Sequence, residues 1–165
     1  MSMYSILQML DTARVEYVLV GGLAVTLRGY QRLTMDVDVV LAMTQENLRA
    51  FIAAAQHAGL KPVMPAVALE SLADLDLRNR WHEEKGMLAF ALRHPDLQST
   101  VLDVLIRPTV PFEELKRNAQ SLPIGSIRVP TASVLDLIRL KTGTGRNKDA
   151  VDIEELKKLL SGPQP

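Results

Sequence analysis

Hydrophobic residues change their spacing along the first part of the chain, from a helical to a strand pattern. Apolar residues recur three or four positions apart over residues 6–13, which predicts an amphipathic helix that begins after Ser2. The run 17–20 is apolar throughout and predicts a buried strand, and the diglycine that follows it predicts a turn. A short helix over residues 23–27 and a second strand over 36–41 complete the pattern.

The middle of the chain predicts one clear helix and two paired strands. Thr44 is placed to cap a helix that Gly59 ends. Residues 61–86 give a mixed signal of helical turns and polar residues. The apolar runs 87–92 and 100–106 are separated by a turn-like segment, which predicts an antiparallel pair of strands.

The last third of the chain is predicted to be mainly helical. Pro111 begins one helix, residues 126–129 form a last strand at the edge of the sheet, and Thr131 caps the next helix. A final helix spans about 148–160, and four of its residues are expected to be buried: Val151, Leu156, Leu159 and Leu160. The tail over 161–165 is predicted to be disordered.

The interspersed helices and strands favour an α/β or α+β fold, with helices flanking a short mixed sheet and a helical C-terminus. The chain has 165 residues, of which 47% are hydrophobic, and this is enough for one core. No stretch rich in Gly, Ser or Pro divides the sequence. We therefore expect a single domain over residues 1–165.

Composition narrows the classes of function and the cellular location. Lys and Arg together number 19, as do Asp and Glu, so the balanced charge argues against broad coating of nucleic acid but leaves RNA open as a substrate. The absence of cysteine excludes disulfides and thiolate metal sites. The sequence shows no signal-peptide pattern, and its longest uncharged apolar stretch, residues 17–27, is well short of a membrane span. We expect a cytoplasmic protein without a membrane partner.

Asp36 and Asp38 are the first candidates for chemistry, because alternate residues of a strand share one face. Two carboxylates at about 4 Å repel by roughly 1 kcal/mol in water and by about 4 kcal/mol in a partly shielded site. A proton or a cation relieves that repulsion, and oxygen ligands of this kind suit magnesium or manganese. The alternative is a polar outer face on an edge strand, or a capping role for Asp36.

Asp103 interrupts the apolar run 100–106, which is otherwise typical of a buried strand. An unpaired buried carboxylate is costly, so Asp103 needs a partner. A metal ion shared with the other aspartates supplies one. A salt bridge to Arg107, Arg32 or another cation is the alternative.

Gly21 and Gly22 are the first candidates for binding a nucleotide. Without Cβ atoms, their backbone allows a ligand to come close, and the start of the following helix presents free N–H groups to an anion. A diglycine is also found in ordinary turns, so this signal is weak by itself.

Several side chains further along the sequence are candidates for contacting phosphate. Arg32 and Thr34 alternate onto the face of Asp36 if the strand begins early, so each is placed to touch phosphate. Lys148 begins the last helix, where a cation can reach a triphosphate or the acceptor, or can instead pair with an acidic residue of the same helix. Lys141 carries the same two interpretations.

These residues together resemble the DNA polymerase beta-like nucleotidyltransferase superfamily. The resemblance is carried by Gly21-Gly22, the spacing to Asp36-Val37-Asp38, and the third aspartate, Asp103, on a later strand. The fuller string over residues 21–38, together with Arg146-Asn147-Lys148-Asp149-x-x-Asp152, resembles the AbiEii-like branch of abortive-infection and toxin–antitoxin nucleotidyltransferases.

The resemblance implies a fold, a reaction and a set of partners. It implies transfer of a nucleoside monophosphate from a nucleoside triphosphate (NTP) to a hydroxyl of RNA, such as tRNA, or of a protein. It implies two magnesium ions, with manganese as the substitute, bound by Asp36 and Asp38, and with Asp103 on the catalytic ion. It also implies a cognate toxin or antitoxin as partner.

Two other functions fit the same residues. One is a catalytically silent nucleotide-binding module, or an antitoxin-like partner. The other is a metal-dependent phosphohydrolase, in which the same carboxylates activate water.

Overall fold

The computed structural model describes residues 1–96 and 100–162, which form a mixed sheet of seven strands. The strands are β1 (Tyr17–Val20), β2 (Asp36–Leu41), β3 (Lys61–Pro62), β4 (Ala89–Arg93), β5 (Val101–Leu105), β6 (Gln120–Ile124) and β7 (Ile127–Thr131). Their order across the sheet is β3-β4-β5-β2-β1-β7-β6. The β2–β5 and β1–β7 pairs are parallel, and the other neighbours are antiparallel. The predicted α/β class with a mixed sheet is confirmed.

Seven α-helices and one 3₁₀ turn (Leu69–Ala73) accompany the sheet in the described residues. The helices are α1 (Met3–Thr12), α2 (Gly21–Leu27), α3 (Gln45–His57), α4 (Leu75–Lys85), α5 (Phe112–Asn118), α6 (Val134–Lys141) and α7 (Asn147–Ser161). The ambiguous segment 61–86 contains β3, the 3₁₀ turn and α4. The first residue of the predicted disordered tail, Ser161, is helical, and residues 163–165 lie outside the described part of the chain.

Side-chain caps confirm two of the predicted helix starts. The Ser2 hydroxyl accepts a hydrogen bond from the Ser5 backbone N–H, and Thr44 does the same for Asn47. Across the described residues, no helix combines the length and the apolar character that a bilayer crossing requires.

Two predictions about the region after residue 119 are wrong. The strand predicted at the edge is β7, which lies between β1 and β6. The strand at the edge, β6, was not predicted, because it is short and contains Pro123, a residue tolerated at a sheet edge. Thr131 ends β7, and Ser133 instead caps α6 by accepting a hydrogen bond from the Asp136 N–H.

The apolar face predicted for α7 is wrong at three of its four positions. The three that remain substantially exposed are Val151, Leu159 and Leu160. Leu156 is buried as predicted, and Asp149 and Asp152 take the other buried positions. These carboxylates form salt bridges with Lys141 of α6, so the two helices pack through ion pairs as well as apolar contacts.

Strands β4 and β5 bury the side chains of only one of their two faces. On that face, four side chains are fully buried: Phe90, Leu92, Leu102 and Val104. Trp81 of α4 lies against Phe90, with ring centroids 5.5 Å apart. Because side chains alternate along a strand, Ala91 and Asp103 lie on the opposite face, away from α4.

A buried asparagine fixes the antiparallel pairing of β1 with β2. The Asn47 Oδ1 accepts a hydrogen bond from the Glu16 N–H at 2.7 Å. Its Nδ2 donates to the carbonyl oxygens of Glu16 at 2.9 Å and Ala42 at 2.8 Å. The side chain therefore joins the start of β1 to the end of β2, in the register that places Val20 opposite Asp38.

We predict that Asn47→Ala lowers the free energy of unfolding by about 1–3 kcal/mol, because three hydrogen bonds are lost and the Ala42 carbonyl stays buried without this partner. Urea unfolding followed by circular dichroism measures the change. Gln45→Ala, at an exposed position of the same helix, is the control and should change stability by less than about 0.5 kcal/mol. Equal losses in the two variants would contradict this role for Asn47.

Candidate active site

The three candidate aspartates lie on one face of two neighbouring strands. Strands β2 and β5 run parallel, with Asp38 directly opposite Asp103. Asp36 lies two residues before Asp38 and therefore shares its face, while Val37 and Val39 are fully buried on the other face. The sheet thus brings together carboxylates that are 65 residues apart in the sequence (103 − 38 = 65).

This crowding changes the acidity of two of the carboxyl groups. Burial raises the pKa of Asp38, and the charge of Asp36 raises it further, despite a hydrogen bond from the Gly22 backbone. Burial, followed by the charges of Asp38 and Asp36, raises the pKa of Asp103 to about 6. Lys141, Arg146 and Lys148 oppose these shifts, but both pKa values stay raised, so the site only partly balances the negative charge that the sheet concentrates.

The salt-bridge alternatives for Asp103 are not found. Arg107 pairs with Glu83 at 3.2 Å, and Arg32 pairs with Asp152. Within residues 1–96 and 100–162, no lysine or arginine forms a salt bridge with any of the three aspartates. The three carboxylates are thus available to a ligand.

The diglycine lies directly against the aspartates, and α2 begins at Gly21, two residues earlier than predicted. Gly21 has a φ of +65°, and a Cβ there would lie 1.9 Å from the Asp38 Oδ2. A Cβ on Gly22 would lie 2.8 Å from both the Arg32 Nη2 and the Thr34 Oγ1. Any other residue would thus displace the side chains that surround this turn.

A buried ion-pair network connects Arg32 to the last two helices. The Asp152 carboxylate pairs with Arg32 and with the Lys141 Nζ, the latter at 2.8 Å. Lys141 also pairs with Asp149 at 2.8 Å, and the Thr144 hydroxyl donates to the same Asp149 carboxylate at 2.7 Å. Burial alone raises the pKa of Asp149, but the hydrogen bonds from Lys141 and Thr144 outweigh it and lower the pKa. The network fastens the segment before β2 to α6 and α7.

All the site residues predicted from the sequence line one cleft of about 230 Å³. These are Gly21, Gly22, Arg32, Thr34, Asp36, Asp38, Asp103 and Lys148. Lys148 is exposed, and no salt bridge in the described residues uses it, so the predicted pairing within its own helix is not found. Their shared location agrees with a common site, and their individual roles stay predictions.

The cleft also contains residues that the sequence did not predict as part of the site. Four are polar: Lys141, Thr144, Arg146 and Asp149. Arg146 and Asp149 belong to the motif that carried the family resemblance, so that motif was the available signal. Six are apolar: Val20, Leu88, Ala89, Leu105, Leu137 and Leu140. Nothing in their local sequence separates them from ordinary core residues.

The aspartates do not form a closed metal cage by themselves. Among residues 1–96 and 100–162, no three His, Cys, Asp or Glu side chains are grouped tightly enough to surround an ion without other ligands. The arrangement is an open carboxylate surface beside a glycine turn, with Arg146 and Lys148 at its border.

Comparison with known families gives the class of this protein. The profile of the family described as "Nucleotidyltransferase of unknown function (DUF6036)" matches residues 3–161. The chain belongs to this family. No curated protein matches this nucleotidyltransferase in sequence.

A solved structure confirms the fold of this nucleotidyltransferase. The crystal structure of the lincosamide antibiotic adenylyltransferase LnuA with bound lincomycin superposes with a TM-score of 0.61. The alignment covers 96% of each chain at 17% sequence identity. At this identity the match shows only that the fold is shared. The evidence for the reaction class is membership of the nucleotidyltransferase family.

We predict that Asp103→Asn stabilises the metal-free protein at pH 7.5. A raised pKa means that folding favours the protonated carboxyl, so its contribution is complete below the unfolded pKa of 3.8 and is lost as the pH rises through about 6. After allowance for solvent screening, the variant should gain about 1 kcal/mol in free energy of unfolding, which corresponds to a rise in Tm of roughly 2–4 °C.

Thermal unfolding in EDTA at pH 7.5 and pH 5 measures this effect. The gain from Asp103→Asn should shrink at pH 5, where the wild-type carboxyl is largely protonated. Glu84→Gln, at an exposed site on α4, should show no such pH dependence. A gain of equal size at both pH values would contradict the electrostatic explanation.

We predict that Asp152→Asn destabilises the protein by about 3–5 kcal/mol, because Arg32 and Lys141 lose a buried counter-charge. Urea unfolding measures the loss. Glu155→Gln on the same helix is the matched control, because its pair with Lys158 is more exposed and worth at most about 1 kcal/mol. Similar losses for both variants would show that the network contributes little.

Proposed function

We propose that the cleft binds an NTP with magnesium and transfers its nucleoside monophosphate to a hydroxyl group. The observation that carries this proposal is the set of unpaired carboxylates, Asp36, Asp38 and Asp103, in register beside the Gly21-Gly22 turn. Membership of a nucleotidyltransferase family supports the reaction class. The carboxylates and the glycine turn supply what that reaction requires, a metal surface and room for phosphate.

The donor set fits magnesium, with manganese as the substitute. The three groups are all oxygen ligands, and two of them have a raised pKa that a divalent cation would counteract. Magnesium commonly takes one or two carboxylates and completes its shell with water and substrate phosphates, which suits an open surface. We assign Asp36 and Asp38 to two ions and Asp103 to the catalytic one. Bound there, the ions would stabilise charge on the attacking and leaving oxygens.

The nucleotide's phosphates are assigned to the side of the cleft that the diglycine borders. Gly21 and Gly22 leave their backbone open to a close ligand, and the Arg32 Nη2 and the Thr34 hydroxyl lie against Gly22. The Arg32 Nη1 is used by Asp152, which holds the guanidinium in place while Nη2 remains directed at the turn. Lys148 is exposed at the border of the cleft and is a further cation for the triphosphate.

The acceptor hydroxyl is assigned to the Asp103 side. Its oxygen forms a bond to the α-phosphorus, the bond from that phosphorus to pyrophosphate breaks, and the hydroxyl proton is released. Asp103 is placed to accept that proton. The products are a nucleotidylated acceptor and pyrophosphate.

The identity of the acceptor and the biological context are predictions from resemblance. The AbiEii-like motifs favour RNA or a protein, together with a cognate toxin or antitoxin partner. LnuA is a lincosamide antibiotic adenylyltransferase whose structure contains lincomycin, which adds small molecules to the acceptor classes.

We predict that Asp38→Ala leaves the fold intact and reduces nucleotidyl transfer by roughly 100-fold or more, because it removes a carboxylate at the reacting centre. The assay follows label from [α-³²P]NTPs, with magnesium, to tRNA, to the protein itself or to small hydroxyl compounds. Asp11→Ala, at an exposed position on α1, is the control and should retain wild-type transfer.

Undiminished transfer by a folded Asp38→Ala protein would contradict the mechanism. Calorimetric titration with ATP and magnesium separates the remaining alternatives. Binding without transfer would favour the silent module, and release of inorganic phosphate without a labelled acceptor would favour hydrolysis.

A further inference from the structure

One end of the cleft is formed by an uncovered part of the sheet. On the Asp103 face of β4 and β5, Ala89, Ala91 and Leu105 are only partly buried. The same two strands are fully buried on their other face. Leu88, directly before β4, lines the cleft and is 52% exposed. Ala89 and Leu105 also line the cleft, and Ala91, in register with Asp103, extends the same face beyond it. We call Leu88, Ala89, Ala91 and Leu105 the β4–β5 floor.

The floor adjoins the reacting centre on the side away from the diglycine. Ala91 is directly opposite Asp103, and Ala89 is opposite Leu105. On its other side, Asp103 neighbours Asp38, which lies against Gly21. A nucleotide on the diglycine side therefore leaves the β4 side of Asp103 for the second substrate.

The side chains of the floor are apolar, and two of the four are alanines. These two small residues stand opposite Asp103 and Leu105, and the half-exposed Leu88 lies directly before them on the chain. Leu137 and Leu140 of α6 add further apolar surface to the cleft. A compound with a flat apolar body matches such a surface, because burying it removes apolar area on both sides from water.

The charges near the floor do not suit a polyanion. Asp103 carries negative charge at the floor, and Lys141 and Arg32 are committed to Asp149 and Asp152. Arg93 follows Ala91 on the same face of β4 and is exposed. Its backbone neighbour across the sheet is Lys61, which is also exposed, on the edge strand β3. Arg146 and Lys148 line the cleft at the start of α7, where we assign Lys148 to the triphosphate. These are few cations for an RNA strand, which needs several phosphate contacts.

We infer that the acceptor is a small uncharged molecule with a hydroxyl and an apolar ring, which lies on the β4–β5 floor with the hydroxyl at Asp103. This inference rests on the proposed nucleotidyl transfer, because that reaction requires a second substrate beside Asp103. Of the three acceptor classes considered above, it selects small molecules. RNA and protein are the alternatives that the test must exclude.

The test uses a neutral aromatic alcohol, 2-(2-naphthyl)ethanol, and a twelve-nucleotide oligoadenylate RNA as probes. The full chain is first saturated with magnesium and α,β-methylene-ATP, so that binding is separated from chemistry. Naphthalene fluorescence measures alcohol binding, and a fluorescent ATP analogue measures nucleotide binding separately. We expect the alcohol to bind, and the RNA to leave alcohol binding unchanged.

Two floor variants and one control identify the surface. Leu88→Glu places a charge at a half-exposed position, and Ala91→Met fills the space opposite Asp103. Each should weaken alcohol binding by about tenfold or more, the range expected when an apolar pocket loses contacts, while nucleotide affinity stays unchanged. Leu135→Glu, on a 61% exposed leucine of α6 that does not line the cleft, should change neither.

The possible failures are distinguishable. If the wild-type protein does not bind the ATP analogue, the proposed function is wrong and the inference falls with it. If the analogue binds but the alcohol does not, the inference alone is overturned. Displacement of the alcohol by the RNA, with strong salt dependence, would also overturn it and assign the floor to nucleic acid.

Discussion

The repulsion among three aspartates is the constraint on which the rest of this structure depends. Two parallel strands align Asp38 with Asp103, and burial in the cleft prevents water from screening the charges fully. A protein that only needed a stable sheet would gain from apolar residues at these positions. The Asn47 junction holds β2 in register with β1, which places Asp38 beside the glycine turn, and the β2–β5 pairing keeps Asp103 opposite Asp38.

Charge is distributed unevenly along the cleft, which suits the two chemically different substrates that we propose. Arg146 and Lys148 stand at the start of α7, the carboxylates lie at the centre, and apolar side chains continue beyond them. Lys141 and Arg32 are neutralised by Asp149 and Asp152, so the network adds rigidity without adding net charge. The proposed orientation of the two substrates follows from this gradient.

Local rules predicted the parts of the fold that depend on local spacing. The two-residue period placed Asp36 and Asp38 on one face, and the caps at Ser2 and Thr44 fixed two helix starts. The pairing of Asp103 with Asp38 is non-local, and was expected through resemblance to a family. Periodicity gave the wrong face of α7, because it treats Asp149 and Asp152 as outward, whereas Lys141 on another helix makes their burial favourable. Lys141 itself stayed ambiguous, because its partners lie on a helix whose packing the sequence does not reveal.

The link between Arg32 and Asp152 joins the loop before β2 to a helix 120 residues further along the chain. On the ribosome, the first strands can pair long before that helix has emerged. Arg32 and Lys141 then lack a counter-ion, and the diglycine end of the cleft lacks one of its walls. The first two strands can therefore pair before the cleft gains the wall that α7 provides.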